Sequence, residues 1–296
     1  MRIHTRNALS VAALAISTAC TNDSSPSAPP GPTSSLDIAS TAAGQTIYAL
    51  TTSDRIIRFS SADACTITGE VVVSGLAVGE SLLGIDVRPA TGQLYGLGRS
   101  SRLYTIDPNT GVATAIGAGP FTPALSGDAF GFDFNPVVDR IRIVSNTGQN
   151  LRLHPVTGEV AATDVRLAFA TADANAAETP SAIGAAYTNP DNDPATGTTL
   201  YDIDRRLGIL VTQNPPNDGK LNTVGSLGRK FNELAGFDIA PSGVAYVALK
   251  VTGNDQPKRT CGNSDLYTIN LSSGATTRIG SVGTTVPLRG IATPAT

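Results

Sequence analysis

Three carboxylates stand at the same place in three similar phrases. Asp86 lies in "LGIDVRP" (Leu83 to Pro89), Asp133 in "FGFDFNP" (Phe130 to Pro136) and Asp238 in "AGFDIAP" (Ala235 to Pro241). Carboxylates that converge can bind a cation such as Ca²⁺, or divide acid and base roles between them. Asp86, Asp133 and Glu233 could imitate the carboxyl pair of a glycoside hydrolase, which needs separations of roughly 5 or 6.5–9.5 Å. A structural use competes with this chemistry. A carboxylate repeated at one slot can accept backbone N–H bonds from the next repeat, and a buried carboxylate persists only when it is bonded or paired. Repetition favours the structural use, because packing residues obey a repeat and active-site residues break it. Ala186 and Ala292 fill the equivalent slots of two further phrases, so a carboxylate ring would be incomplete.

Other catalytic residue types are scarce. The chain has 296 residues, no Trp and two His, of which only His154 lies beyond the leader. A Ser-His-Asp triad or a multi-histidine metal site therefore has almost no material. The missing Trp removes the usual stacking platform for a sugar. A lactonase-like metal hydrolase would want a clustered carboxylate–Asn site, and Glu is scarce. Formal net charge is -3 with interspersed signs, and no basic run interleaves with aromatics, so no nucleic-acid partner is expected. No catalytic residue is assigned, and no cofactor is expected.

The elements that must position these residues follow from the phrase itself. Its glycines, Gly84, Gly131, Gly184, Gly236 and Gly290, recur at intervals of about 50 residues, a period suited to propeller blades. Each interval holds short β-rich runs between Gly, Pro and Asn turns, such as "QLYGLGR", "RLYTIDP" and "PNTG". The spacing predicts an all-β, five-bladed β-propeller with four antiparallel strands per blade. The last phrase, "RGIATPAT", holds one inner strand, whereas "TIYALTT", "RIIRFS" and "EVVVSG" read as strands two, three and four of a blade without its first. Pairing the C-terminal strand with those three would close the ring and remove an open edge. Alternation along the phrase sends Phe132 and Phe134 one way and Asp133 the other.

Several long phrases carry a resemblance. "LLGIDVRPATGQLYGLG", "LYTIDPNTGVAT", "FGFDFNPVVDRIRIVSNTGQNLRLHPVTG" and "LVTQNPPNDGKLNTVGSLG" resemble a bacterial family of exported proteins described only as a domain of unknown function and grouped with β-propellers. The resemblance spans Gln45 to Ala292. It implies the propeller fold and carries no activity with it.

Ligand chemistry is expected at one face. Loops entering the inner strands should form an axial mouth ringed by Ser81, Asp128, Ser181, Glu233 and Pro287, with Arg289 just inside. The loops at 165–180 and 251–264 should rim it. Variable loops on a rigid ring are where propellers build sites, so Asp128, Glu233 and Arg289, with Asp86, Asp133 and Asp238, are the candidate ligand-binding residues. The turn "NPDNDPATG" (189–197) has alternate oxygens like a loose Ca²⁺ loop, but it lacks the closing Glu and reads better as a polar turn. Cys65 and Cys261 would meet an oxidising compartment and could pair across the ring closure. The strand register, however, places them at opposite faces.

The N-terminus has an address. "MRIHTRNALSVAALAISTAC" combines Arg2 and Arg6, a short apolar run and small residues before Cys20, as in a secretory signal ending in a lipobox. The expected organisation is a signal peptide at 1–19, lipidation at Cys20, a Ser/Pro-rich tether at 20–43 and a propeller at 44–296. These features predict an outer-membrane lipoprotein facing the periplasm or cell surface, touching the membrane only through its lipid. The function expected is that of an envelope-anchored, non-catalytic monomer binding a protein or small ligand at its mouth. A glycoside hydrolase-like enzyme is the alternative.

Overall fold

The computed structural model describes residues 44–191, 193–253, 257–258 and 260–295, without the side chains of 232–235. The leader, Cys20 and the tether lie outside the described residues. In chain order the strands are β1 (Thr46–Thr51), β2 (Arg55–Ser60) and β3 (Asp63–Val72), then β4 (Leu82–Val87), β5 (Leu94–Gly98), β6 (Arg102–Ile106) and β7 (Ala113–Ile116). Next come β8 (Phe130–Asn135), β9 (Arg140–Ser145), β10 (Asn150–Leu153), β11 (Val160–Thr163) and the two-residue β12 (Ala168–Phe169). They are followed by β13 (Ala182–Tyr187), β14 (Leu200–Asp204), β15 (Ile209–Gln213) and β16 (Lys220–Ser226). The last five are β17 (Phe231–Ile239), β18 (Ala245–Val251), β19 (Ser264–Ile269), β20 (Thr276–Val282) and β21 (Leu288–Ala292).

These strands form five sheets. β4–β7, β8–β11, β13–β16 and β17–β20 are blades one to four, each built from consecutive strands. The fifth has the order β21-β1-β2-β3, and Tyr48 pairs with Ala292. The ring therefore closes as the sequence predicts, with the tail supplying the inner strand of the blade that the head begins.

Packing between blades supplies the core. Phe132 and Phe134 of β8 lie against Tyr95, Leu97 and Leu103 of the blade before, with the Tyr95 and Phe134 rings edge to face at 5.0 Å. Phe237 and Ile239 do the same against Ile183, Ile203 and Leu210. Ile85 and Val87 pack on Leu50, Ile56 and Ala292. Each fully buried side chain of this size contributes about 1.5–3 kcal/mol, so such interfaces dominate stability. The apolar alternation of the phrase thus faces the preceding blade.

Blade three departs from the pattern. The segment 165–180 begins not at the mouth but along the blade's outer edge. There β12 pairs parallel with β16 as a fifth strand, matching Ala168 to Lys220. Leu167 and Phe169 are buried there, which explains why the segment leaves the rim. The outer edge of β16 is covered by the same move.

Cys65 and Cys261 correct the register argument. They are disulfide-bonded, with Cα atoms 6.0 Å apart. Strand twist accumulates across a blade, so outer strands tilt away from the axis. The start of β3 then meets the end of β20 in the neighbouring blade, where Gly283 N–H donates to the Ala64 carbonyl at 3.0 Å. Opposite ends of adjacent outer strands become neighbours, a consequence invisible to a flat strand diagram.

Candidate functional site

The axis is lined by glycine. Gly84, Gly131, Gly184, Gly236 and Gly290 surround a cavity of ≈ 20 Å³, room for about one water. A Cβ on Gly131 would lie 2.6 Å from the Ala185 backbone nitrogen, and one on Gly236 would lie 2.7 Å from Ile291 N. The phrase needs glycine because each inner strand touches the next there.

One position further on in the alternation, the carboxylates reach forward to the next blade. Asp86 accepts the Phe134 N–H at 2.8 Å, Asp133 the Tyr187 N–H at 2.8 Å and Asp238 the Thr293 N–H at 2.5 Å. Asp86 and Asp238 also accept their own following N–H groups, from Val87 at 2.7 Å and Ile239 at 2.6 Å. All three are buried, and an oxygen from each lies within 4.8 Å of the others. Burial raises all three above the usual carboxylate range. For Asp86, Asp238's charge adds to the rise; for Asp133, both neighbours do. Asp238 is pushed up to about 6, with its bonds to Thr293 opposing the desolvation. The cluster therefore gives up its protons at higher pH than free carboxylates do. Asp86 and Asp133 each spend one oxygen on a blade joint, beside a cavity too small for a sugar.

At the opposite, mouth end the repeat is only partly kept. Ser81, Ser181 and Pro287 occupy matching rim places, their carbonyls accepting from Arg99, Arg205 and Thr52. In blade two that place belongs to Ala129, and the neighbouring Asp128 is exposed, accepting from Asn146 Nδ2 at 2.5 Å. In blade four it belongs to Lys230, which accepts from Thr252 N–H. Glu233 instead falls inside β17, whose register shifts between Phe231 and Ala235. This bulge breaks the symmetry from which a rim place for Glu233 follows, and the Glu233 side chain lies outside the described ones. Arg289 lines the axial cavity and donates to the Leu82 carbonyl at 2.5 Å. Burial lowers its pKa, partly offset by the charge of Asp54.

Two other candidates are spent locally. In the 189–197 turn, Asp191 accepts from Asp193 N–H and the Thr196 hydroxyl, and Asp193 from Ala195 N–H. His154 Nδ1 accepts from Val156 N–H at 3.2 Å in its own turn.

Sequence reasoning missed two features. The slot across the hairpin from the phrase carboxylate holds Tyr95 in blade one and Tyr246 in blade four, but Arg142 in blade two. Buried Arg142 pairs with Asp164 at 2.6 Å and reaches Asn150, Asn217 and the Tyr187 hydroxyl. Tyr187 follows Ala186, the residue that leaves the carboxylate slot of blade three uncharged, so two residues at departures from the repeat meet across the blade boundary. The second feature is a groove of ≈ 550 Å³ on the mouth face, lined by Arg205, Arg206, Arg229 and Lys230. These residues come from two separate turns. Only the chain path brings them together, and no basic run marks them.

Five blades of four antiparallel strands, one of them extended by β12, closed around a glycine-lined axis define a β-propeller. The chain belongs to the family described as "Domain of unknown function (DUF4394)", whose model matches residues 55–292. No curated protein matches it. Among solved structures it is similar to a structural genomics protein of unknown function from Bacteroides thetaiotaomicron, at 14% identity and TM-score 0.43, covering 78% of this chain and 56% of that one. It is also similar to the dihydro-heme d1 dehydrogenase NirN, at 9% identity and TM-score 0.36, covering 81% of this chain and 44% of that one. A putative 6-phosphogluconolactonase from Bacteroides uniformis matches at 13% identity and TM-score 0.41, covering 82% and 84% of the two chains. The chain thus spans about half the length of the first two.

Proposed function

We propose that this protein is an exported, envelope-anchored monomer whose propeller binds a protein or small ligand on its mouth face without catalysing a reaction. One observation carries the reading. The buried carboxylates nearest the axis are hydrogen-bonded to the next blade's backbone, beside a cavity of ≈ 20 Å³. Chemistry along the axis would have to break the joints that hold the ring. The rim is different: Asp128 is exposed and Arg289 stands half-buried at the cavity's edge. The lipobox-like "STAC", Cys20 and the Ser/Pro-rich tether support an outer-membrane lipoprotein whose body faces the periplasm or cell surface.

A photo-crosslinking side chain placed at Asp128 in the full chain tests the mouth. It should capture a partner in intact cells, whereas the same group at Gly92, in the far-face turn after β4, should not. Equal capture at both sites, or none at either, rejects the mouth as the binding face. Radiolabelled palmitate should enter the wild type and not Cys20→Ser; labelling of both would reject Cys20 as the anchor.

A further inference from the structure

The basic groove lies off the axis, between blades three and four. The turn joining β14 to β15 supplies Arg205 and Arg206, and the connection from β16 to β17 supplies Arg229 and Lys230. Its ≈ 550 Å³ is the size of a small-molecule site. The chain as a whole has formal net charge -3, so four cations around one depression run against the global balance.

Solvent reaches all four side chains. Arg206 and Lys230 are exposed, and Arg205 and Arg229 are only half-buried. Of the nearby described carboxylates, Glu178 offsets the charge of Arg206 and Asp204 is turned to backbone. Glu178 pairs with Arg206 at 2.6 Å, and Asp204 accepts the N–H groups of Ser181 at 2.7 Å and Leu207 at 2.9 Å. Two of the guanidinium groups are also held in place. Arg229 lies 4.8 Å over the Tyr267 ring and donates from Nε to the Thr276 hydroxyl at 3.2 Å. Arg206 donates from Nε to the Thr179 carbonyl at 3.0 Å. Planar forks fixed before a ligand arrives lose little entropy on binding, and they match the oxygens of a phosphate.

We propose that this groove binds a soluble phosphorylated small molecule carrying at least two negative charges. Cations approach from two sides, which favours a multiply charged group over a single carboxylate. The source is a soluble ester and not a lipid headgroup. The large exposed hydrophobics of the described residues, such as Val72, Val78, Val138 and Ile279, do not line the groove, and a membrane-binding surface would present apolar side chains beside its cations. The groove shares Lys230 with the rim place of blade four but does not depend on a ligand at Asp128 or Arg289.

Isothermal titration of the full chain with pyrophosphate at physiological ionic strength tests this. One pyrophosphate should bind per chain. The double variant R206Q/K230Q should weaken binding about tenfold or more, the expected loss for charge-assisted bonds. Lys220→Gln removes an exposed charge at the far-face end of β16 and should leave affinity unchanged. Thermal unfolding without ligand checks the fold of each variant. If the double variant unfolds early, the exposed Lys230→Gln alone should still weaken binding. Absence of binding overturns the proposal. So does an equal loss in Lys220→Gln, which would mean diffuse attraction. Retention on phosphatidylglycerol vesicles without pyrophosphate binding also overturns it, in favour of a lipid surface.

Discussion

Asp238 Oδ2 accepts both the backbone N–H of Thr293, at 2.5 Å, and its side-chain hydroxyl, at 2.6 Å. One residue belongs to the fourth blade and the other follows the last strand of the chain, so this contact fastens the closing blade to its neighbour. Replacing Asp238 by Ala would strand a buried N–H and a buried hydroxyl, at about 1–3 kcal/mol for each unsatisfied group. Asp238→Asn keeps an acceptor oxygen and removes a charge from the axial cluster. Urea unfolding should therefore rank wild type and Asn well above Ala. If Ala were as stable as wild type, the carboxylate would not be holding the closure.

Much of this joint was legible in the sequence, for a definite reason. A repeat is a set of aligned slots, and Asp86, Asp133 and Asp238 share a slot that Ala186 and Ala292 leave empty of charge. Shared slots mean shared packing, so blade number, ring closure and the forward reach of the carboxylates could all be reasoned out. What breaks the repeat could not. The β17 bulge moves Glu233 out of its symmetric place, and β12 attaches to a sheet that pattern reading had already completed. The Cys65–Cys261 bond depends on the accumulated tilt of outer strands. The basic groove depends on two turns meeting at a blade boundary. Each of these is a three-dimensional consequence of twist or chain path, and neither is written in local residue order.

The glycine ring makes a graded prediction. A Cβ at Gly131 would lie 2.6 Å from Ala185 N and 2.7 Å from Ala185 Cβ, with backbone on one side that cannot yield. At Gly84 the nearest atom would be Phe132 Cβ at 3.1 Å, a contact that a few tenths of an ångström would relieve. Elsewhere in a strand, Gly→Ala gains roughly 0.5–1 kcal/mol from lower chain entropy. Gly131→Ala should therefore be strongly destabilising, while Gly84→Ala should lie within about 1–2 kcal/mol of wild type. Equal thermal midpoints for the two variants would mean that the inner strands are not in contact at the axis.

The pH dependence of stability turns on Asp202. It is fully buried in β14, and neither of its carboxylate oxygens has a hydrogen-bond partner among the described residues. Desolvation pushes it up to about 8, with the charge of Arg142 opposing and that of Asp204 adding. In the unfolded chain an Asp titrates near 3.9. Between roughly pH 4 and pH 8 the native protein then keeps a proton that the unfolded chain has released. Stability must fall as pH rises through that window, by up to about 1.4 kcal/mol per pH unit for one group, and level off above it. Asp238, at about 6, acts with the same sign but is exhausted by pH 7. Asp63 and Asp107 have lowered values and act with the opposite sign only in the acid range. The slope between pH 7 and pH 8 therefore isolates Asp202 from all three, although Asp86 and Asp133 can add to it because burial raises them too. Replacing Asp202 by Asn removes the titration while keeping the side chain's shape. Chemical denaturation should show a shallower fall across pH 7–8 in the variant and greater stability than wild type at pH 8. A slope unchanged by the substitution would mean that Asp202 is already ionised at neutral pH, which a buried carboxylate without partners cannot sustain.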